Sequence, residues 1–384
     1  ILFTTSLHGQ SPVFQAENFY QEIPFKWLKG KVLIPVQIGE DTYDFVLDSG
    51  GLFMISEKVQ SKYRFDTTRT VQVGGINNFS EDLAKVRVPQ VQIGELVYTD
   101  YQAIIGPFFS QEPTTCLQSD GIIGRDFLEK MAVQYDLAQG KIVLTDNPEK
   151  LNLSAAQYIR MDIRGDGIPR LKLKTSLGKL KRVAFDSGAN DLLSLKRSEA
   201  QKWIEQGKIP SGDVMELFGI FSMGVSGKIP APAVNHRIKV RELQLGSYRL
   251  NDFYTDTGKP SGARIGTGLF PYGTVTTDYT NKRFYFLPYP KALDVAESPN
   301  FGFKVYVRNG KMLVTNITVG SPADQKGMKP GAEILALNGQ PAETYLQHIC
   351  QSYLEGFEWE KLDEVEVEFQ VEGERPQKII LYPY

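Results

Sequence analysis

Apolar and polar residues alternate along most of this chain in short runs that stop at glycine, the period of strands rather than of helices. Val32-Leu33-Ile34-Pro35-Val36-Gln37-Ile38 stops at Gly39, and Leu171-Lys172-Leu173-Lys174-Thr175-Ser176-Leu177 stops at Gly178. Each reads as one arm of a hairpin whose other arm is fully apolar, Phe45-Val46-Leu47 or Val183-Ala184-Phe185. Val91-Gln92-Ile93-Gly94 and Leu243-Gln244-Leu245-Gly246 mark two further hairpin turns. Then come Ile122-Ile123-Gly124-Arg125-Asp126 and Arg264-Ile265-Gly266-Thr267-Gly268, followed by Val133-Gln134-Tyr135-Asp136 and Val275-Thr276-Thr277-Asp278. Helical periodicity is scarce. Its clearest case, Glu343 to Leu354, predicts one helix with Tyr345, Leu346, Ile349 and Cys350 on a single face. The chain is expected to be mostly β.

Every strand signal above occurs twice and in the same order, so the pattern is a tandem repeat. Asp48 and Gly124 lie 76 positions apart and Asp186 and Gly266 80, while Asp136 and Asp278 each follow their glycine by 12. The repeat predicts two β lobes over residues 24–150 and 151–293, after an N-terminal segment 1–23. Its most informative phrase is Asp48-Ser49-Gly50, repeated as Asp186-Ser187-Gly188, each at the end of the apolar arm. One Asp-Ser-Gly alone is an ordinary turn sequence. Asp256-Thr257-Gly258 falls outside the repeat register and is read as such a loop. Two carboxylates at equivalent turns suggest a facing pair, which cannot both ionise easily and so share a proton.

On these residues the chain resembles the pepsin-like and retropepsin-like aspartic peptidases, over roughly residues 24 to 290. That superfamily carries Asp-(Thr/Ser)-Gly after an apolar strand and then a later apolar-apolar-Gly, and Ile122-Ile123-Gly124-Arg125-Asp126 is similar to the retropepsin form of the second motif. The resemblance implies that Asp48 and Asp186 are catalytic and face each other between two aspartic-protease-like barrels of one chain, which favours a monomer. Ser49 and Ser187 are expected to hydrogen-bond within the paired loops, and Gly50 and Gly188 to let the backbones pass closely. Gly124 and Gly266 are expected to pack beneath those loops, and Arg125 with Asp126 to form a structural ion pair. Val71 to Phe79, with Gly74, Gly75 and Ile76, is a candidate substrate flap, although it lacks the tyrosine of pepsin-like flaps and also reads as an ordinary surface hairpin. Phe218 to Gly224 is its counterpart in the second lobe.

Past Leu287-Pro288-Tyr289-Pro290 the repeat is finished. Ser321-Pro322-Ala323, Gly327-Met328, Gly331, Ile334-Leu335 and Leu337-Asn338-Gly339 closely resemble a PDZ domain, over about residues 299–384. Pro322-Ala323 suits a helix start and Asn338-Gly339 a hairpin turn. Phe301-Gly302-Phe303 stands where that family's carboxylate-binding loop would lie, which makes Gly302 and Phe303 candidate contacts for a C-terminal peptide; a simple strand start is the alternative.

Composition narrows the partners. Among 384 residues, 43 basic against 45 acidic side chains give no reason to expect nucleic acid. Three histidines and two cysteines leave little for a metal site, and no cofactor motif occurs. Cys116 and Cys350 are so far apart that no disulfide framework is indicated. No stretch is long and apolar enough to span a bilayer. Ile1 to Leu7 reads either as the remnant of a secretory signal, hence a periplasmic or secreted protein, or as an ordinary strand. The resemblance thus implies an endopeptidase acting on peptide or protein substrates. The alternative from another class is a non-catalytic peptide-binding scaffold on the same frame.

Overall fold

The computed structural model describes residues 13–14, 17–74, 80–107, 114–153, 157–220, 230–259, 262–293, 300–355 and 362–384. The chain is mostly β, as its alternation requires. In the first copy the strand Asp41–Asp48 lies antiparallel to Lys31–Ile38, with Leu33 opposite Val46, and parallel to Gly121–Gly124, with Gly124 opposite Asp48. The second copy repeats this arrangement. Gly178–Phe185 runs antiparallel to Pro169–Thr175 and parallel to Arg264–Ile265, with Phe185 opposite Ile265. In each copy the strand that carries the aspartate is therefore hydrogen-bonded on both edges. A residue at its end is held to the register of its neighbours.

Between the copies lies a six-stranded sheet to which both contribute. Its middle pair is Ala132–Asp136 against Gly273–Asp278, with Ala132 opposite Asp278 and Tyr135 opposite Val275. These are the two phrases that close each copy in the sequence, so the repeat equivalents meet side by side. One apolar core runs through both copies and the shared sheet, from Phe19 to Phe286, with Phe45, Phe53, Phe185, Phe270 and Phe284 fully buried. The central Tyr135 ring lies 4.9 Å from Phe270 and 6.0 Å from Phe185, tying the first copy's last strands to the second copy's core.

Residues 301–381 build a separate core around Phe301, Met312, Met328, Ile334 and Phe369. The short helix Pro322–Gln325 begins at Pro322, capped by Ser321 Oγ, which accepts from the Asp324 amide at 3.3 Å. Asn338 and Gly339 both adopt positive φ (49° and 73°) and join Glu333–Leu337 to Gln340–Pro341, the turn that this dipeptide favours.

Three expectations need correcting. Glu343 to Leu354 is two helices, Ala342–Gln347 and Ile349–Glu355, broken at His348, whose φ of −118° leaves the helical region. Asp256-Thr257-Gly258 is no loop: it lies inside the strand Tyr248–Lys259, where Thr257 Oγ1 accepts from the His236 amide at 2.8 Å. The two cysteines are joined. Cys116 of the short helix Thr114–Leu117 forms a disulfide with Cys350 of Ile349–Glu355, across 234 positions of chain. Sequence distance carries no information on such a pairing, because the fold brings the two segments together. Of the second flap candidate, Phe218 and Gly219 belong to Val214–Gly219, which pairs with Ala233–Leu245 and with Lys311–Thr318 of the C-terminal module, Phe218 opposite Val234 and Ile317; residues 221–229 lie outside the described residues.

Candidate active site

Both Asp-Ser-Gly turns sit at the ends of their apolar strands, and the fold sets them face to face. In each, the amide two residues past the aspartate donates to its Oδ1: Gly50 N to Asp48 at 2.8 Å and Gly188 N to Asp186 at 3.1 Å. The turn itself is closed by backbone bonds at 3.0 Å, from Gly51 N to the Asp48 carbonyl and from Ala189 N to the Asp186 carbonyl. Local sequence thus fixes each carboxylate on its own turn.

The serines join the turns to each other. Ser49 Oγ accepts from the Ser187 amide at 2.9 Å and donates to the Phe185 carbonyl at 3.2 Å. Reciprocally, Ser187 Oγ accepts from the Ser49 amide at 2.9 Å and donates to the Leu47 carbonyl at 2.8 Å. Both serines are fully buried, so each of these four bonds satisfies a group that has no water to turn to. The glycines are demanded by the same approach. A Cβ on Gly50 would stand 2.8 Å from the Asp186 Cγ, and one on Gly188 would run into the Asp48 carboxyl. Under this packing the Asp48 and Asp186 carboxyls are within hydrogen-bonding reach of each other.

Beneath the turns, Gly124 and Gly266 pack as expected: a Cβ on either would collide with backbone at Leu52 or Ala189. Arg125 and Asp126, read as an ion pair, attract each other, and each also holds backbone. The Arg125 guanidinium donates to the carbonyls of Gly50 and Gly51 at 2.7 and 2.9 Å, and Asp126 accepts from the Phe53 amide at 3.2 Å. Of the candidate flap, Gly74 ends the strand Thr67–Gly74, which pairs with Ser80–Ile93; Gly75 and Ile76 lie outside the described residues. Gly302, at φ +88°, opens the first strand of the C-terminal module, and its carbonyl accepts from the Thr318 amide at 2.8 Å. Phe303 is buried in that module's core and pairs with Ile317.

Two cations beside the aspartates were missed. Arg264 donates to Asp186 Oδ2 at 2.8 Å and to Asp191 Oδ2 at 2.8 Å, with only 12% of its side chain exposed. Lys31 reaches across from the first copy to the Gly188 carbonyl. The only advance sign of Arg264 was its register: aligned by the repeat it replaces Ile122, a charge where the other copy is apolar. The charges are uneven as a result. Burial, with the neighbouring charge of Asp186, pushes the Asp48 carboxyl up to about 6. Burial is the largest influence on Asp186 and would raise it as well, but the Arg264 guanidinium, the hydrogen bond with Asp48 and the charge of Lys31 act together against it, and this carboxyl lies below its ordinary value. Burial lowers Lys31, against the pull of both aspartates. No group of histidine, cysteine, aspartate and glutamate among the described residues could hold a metal ion.

Compared with known proteins, residues 34–127 match the aspartyl protease family. The match spans the first aspartate and its partner strand. Among solved structures, the basic 7S globulin from soybean aligns with a TM-score of 0.44 and 9% sequence identity, over 73% of this chain and 100% of that one. No curated protein matches the sequence.

Proposed function

We propose that this chain is an aspartic endopeptidase in which Asp48 and Asp186 activate one water between two lobes, residues 24–150 and 151–293. The observation that carries the proposal is the reciprocal serine bonding, which holds two carboxyls within reach of each other at equivalent turns. The family match over residues 34–127 supports it.

Peptide hydrolysis needs a base for the attacking water and an acid for the carbonyl oxygen, and a singly protonated carboxyl pair supplies both. As the water oxygen bonds to the carbonyl carbon, the water proton passes to the ionised carboxylate. The proton of the other carboxyl passes to the carbonyl oxygen. When the C–N bond of the resulting diol breaks, the first carboxyl gives its proton to the nitrogen and a diol hydroxyl returns one to the second. The pair ends as it began, with one proton and one negative charge.

Residues 299–384 serve in this proposal as a PDZ module for substrate or partner recognition, with Gly302 and Phe303 at its peptide-binding loop and a peptide C-terminus as ligand. The hairpin of Thr67–Gly74 and Ser80–Ile93 serves as the flap. A monomer suffices, since both aspartates come from one chain. The Cys116–Cys350 disulfide favours an oxidising compartment, periplasmic or extracellular. The test is hydrolysis of denatured casein and of a mixed peptide library between pH 3 and 8. D48N and D186N are expected to lose activity by about 10²–10⁴-fold or more while keeping the fold. Peptide binding without turnover at any pH would instead establish the scaffold reading.

A further inference from the structure

The repeat makes the two aspartates equivalent in backbone and the side chains make them unequal. Arg264 stands at the register position that Ile122 fills in the first copy: Ile122 lies opposite Val46 and Arg264 opposite Ala184, each two residues before its aspartate. From there the guanidinium spans Asp186 Oδ2 and Asp191 Oδ2 at 2.8 Å each. Both oxygens of Asp186 are then occupied by N–H donors, Arg264 on one and the Gly188 amide on the other. Asp48 Oδ1 takes the Gly50 amide, and among the described residues no guanidinium hydrogen-bonds either of its oxygens.

We propose that Arg264 is a positioning residue that divides the roles of the pair, keeping Asp186 as the ionised member and leaving Asp48 to carry the shared proton. The proposal rests on the hydrolytic reading only for its use, not for its geometry. A carboxylate with N–H donors on both oxygens has its charged form stabilised, and a cation in a poorly hydrated site adds to this. The other charged or titratable groups facing the pair do not reverse the order. Lys31, from Lys31–Ile38, pulls on both aspartates and Arg125 on Asp48; Asp191 is itself held by Arg264, and Tyr135 and Tyr279 are buried phenols raised well out of the range. In hydrolysis Asp186 then accepts the proton of the water. Because Arg264 keeps it acidic, it is a reluctant acceptor but a ready donor to the leaving nitrogen, so the arrangement favours breakdown of the diol.

The experiment is a pH titration of ¹³C-carboxyl-labelled aspartate in the full chain, with D48N and D186N used for assignment. In the wild type Asp48 is expected to titrate near 6 and Asp186 below the ordinary carboxylate range. In R264Q the Asp186 midpoint rises by about one unit or more, whereas R264K keeps it near the wild type. R264I, which restores the residue of the first copy, moves it the same way as R264Q. A wild type in which Asp186 takes the proton before Asp48, or a folded R264Q whose titration superimposes on the wild type, overturns the proposal. The wild-type order decides it even if R264Q does not fold. Casein hydrolysis measured in parallel separates the two readings. Both limbs of its pH profile move up in R264Q if the pair is catalytic. Ordered titration in a wild type that never cleaves overturns the peptidase reading and leaves the role of Arg264 standing.

Discussion

Beside Asp48 runs a strand that presents Ile122, and beside Asp186 the equivalent strand presents Arg264. Around them nearly every backbone feature is shared. Both turns close at 3.0 Å, both Oδ1 atoms accept the amide two residues on, and each serine serves the other's turn. The backbone follows the repeat because strand register and turn geometry depend on hydrophobic pattern and on glycine, which both copies keep. Charge depends on single side chains, and one substitution in register puts a guanidinium on Asp186 where the first copy has Ile122. A symmetric frame with asymmetric electrostatics suits acid–base work, where two chemically identical groups must do different things.

The same contrast runs through the supports. In the first copy Arg125 clamps the carbonyls of Gly50 and Gly51 from below. In the second, the equivalent position is Thr267, whose single hydroxyl hydrogen is shared between the Gly30 carbonyl at 2.6 Å and the Ala189 carbonyl at 2.9 Å. Asn190 adds a bond to the Lys29 carbonyl at 2.6 Å, and Lys31 reaches Gly188. The second turn is thus tied into the first copy's Lys29-Gly30 turn, and the first turn is held within its own copy by a buried cation.

The harshest way to break the comparison is to remove the tether that has no repeat equivalent. Loss of the Cys116–Cys350 bridge, by C116S with C350S or by reductant, is expected to cost about 2–4 kcal/mol. The loss should appear first in the C-terminal module, as faster proteolysis after residue 300 with the paired turns still protected from hydrogen exchange. Next come the glycines of the paired turns. G188A and G50A each force a methyl into the opposite carboxyl and are expected to destabilise by about 1–3 kcal/mol. G165A, whose Cβ would meet nothing within 4 Å, should leave the chemical-denaturation midpoint nearly unchanged.

A third test uses pH. Asp48 rises from an ordinary 3.8 to about 6 in the fold, so the folded state binds its proton more tightly than the unfolded chain. Its contribution to stability is complete below the ordinary value and is lost as pH rises through about 6. Asp186 has the opposite sign: its contribution is present above the ordinary value and is lost only on acidification below it. Melting curves at pH 8 should therefore show D48N more stable than the wild type, by about 1–2 kcal/mol. D186N, which takes from the buried Arg264 one of its two carboxylate partners, should be less stable. Equal effects from the two substitutions would erase the asymmetry. The smallest expected difference is between S49A and S187A. Each removes one acceptor and one donor from the same network, so both should cost about 1–3 kcal/mol and differ little from each other.

Much of the site was legible because it depends on local pattern. The apolar arms, the Asp-Ser-Gly turns, the paired glycines at 124 and 266 and the closing phrases at 133–136 and 275–278 all occupy the places that the repeat assigns them. Other features were not legible, and for identifiable reasons. Asp256-Thr257-Gly258 carries turn-forming residues, yet pairing with Ser194–Lys196 and Ala233–Leu245 keeps it extended, a tertiary override of local preference. The helical period from Glu343 to Leu354 did not show the break at His348. Arg125 and Asp126 are neighbours in sequence, and only the fold turns one toward the Gly50 carbonyl and the other toward the Phe53 amide.

By itself the sequence determined that two equivalent β units would each end an apolar strand in an aspartate on a tight turn, because alternation, glycine and spacing act over a few residues and are written directly in the chain. Only the tertiary structure decided what surrounds those aspartates. It placed Arg264 on one of them and Ile122 beside the other, carried Lys31 across to the opposite turn, and closed Cys116 onto Cys350. Each of those contacts joins segments that are distant along the chain, and their energies come from burial and charge, which exist only once the chain has folded.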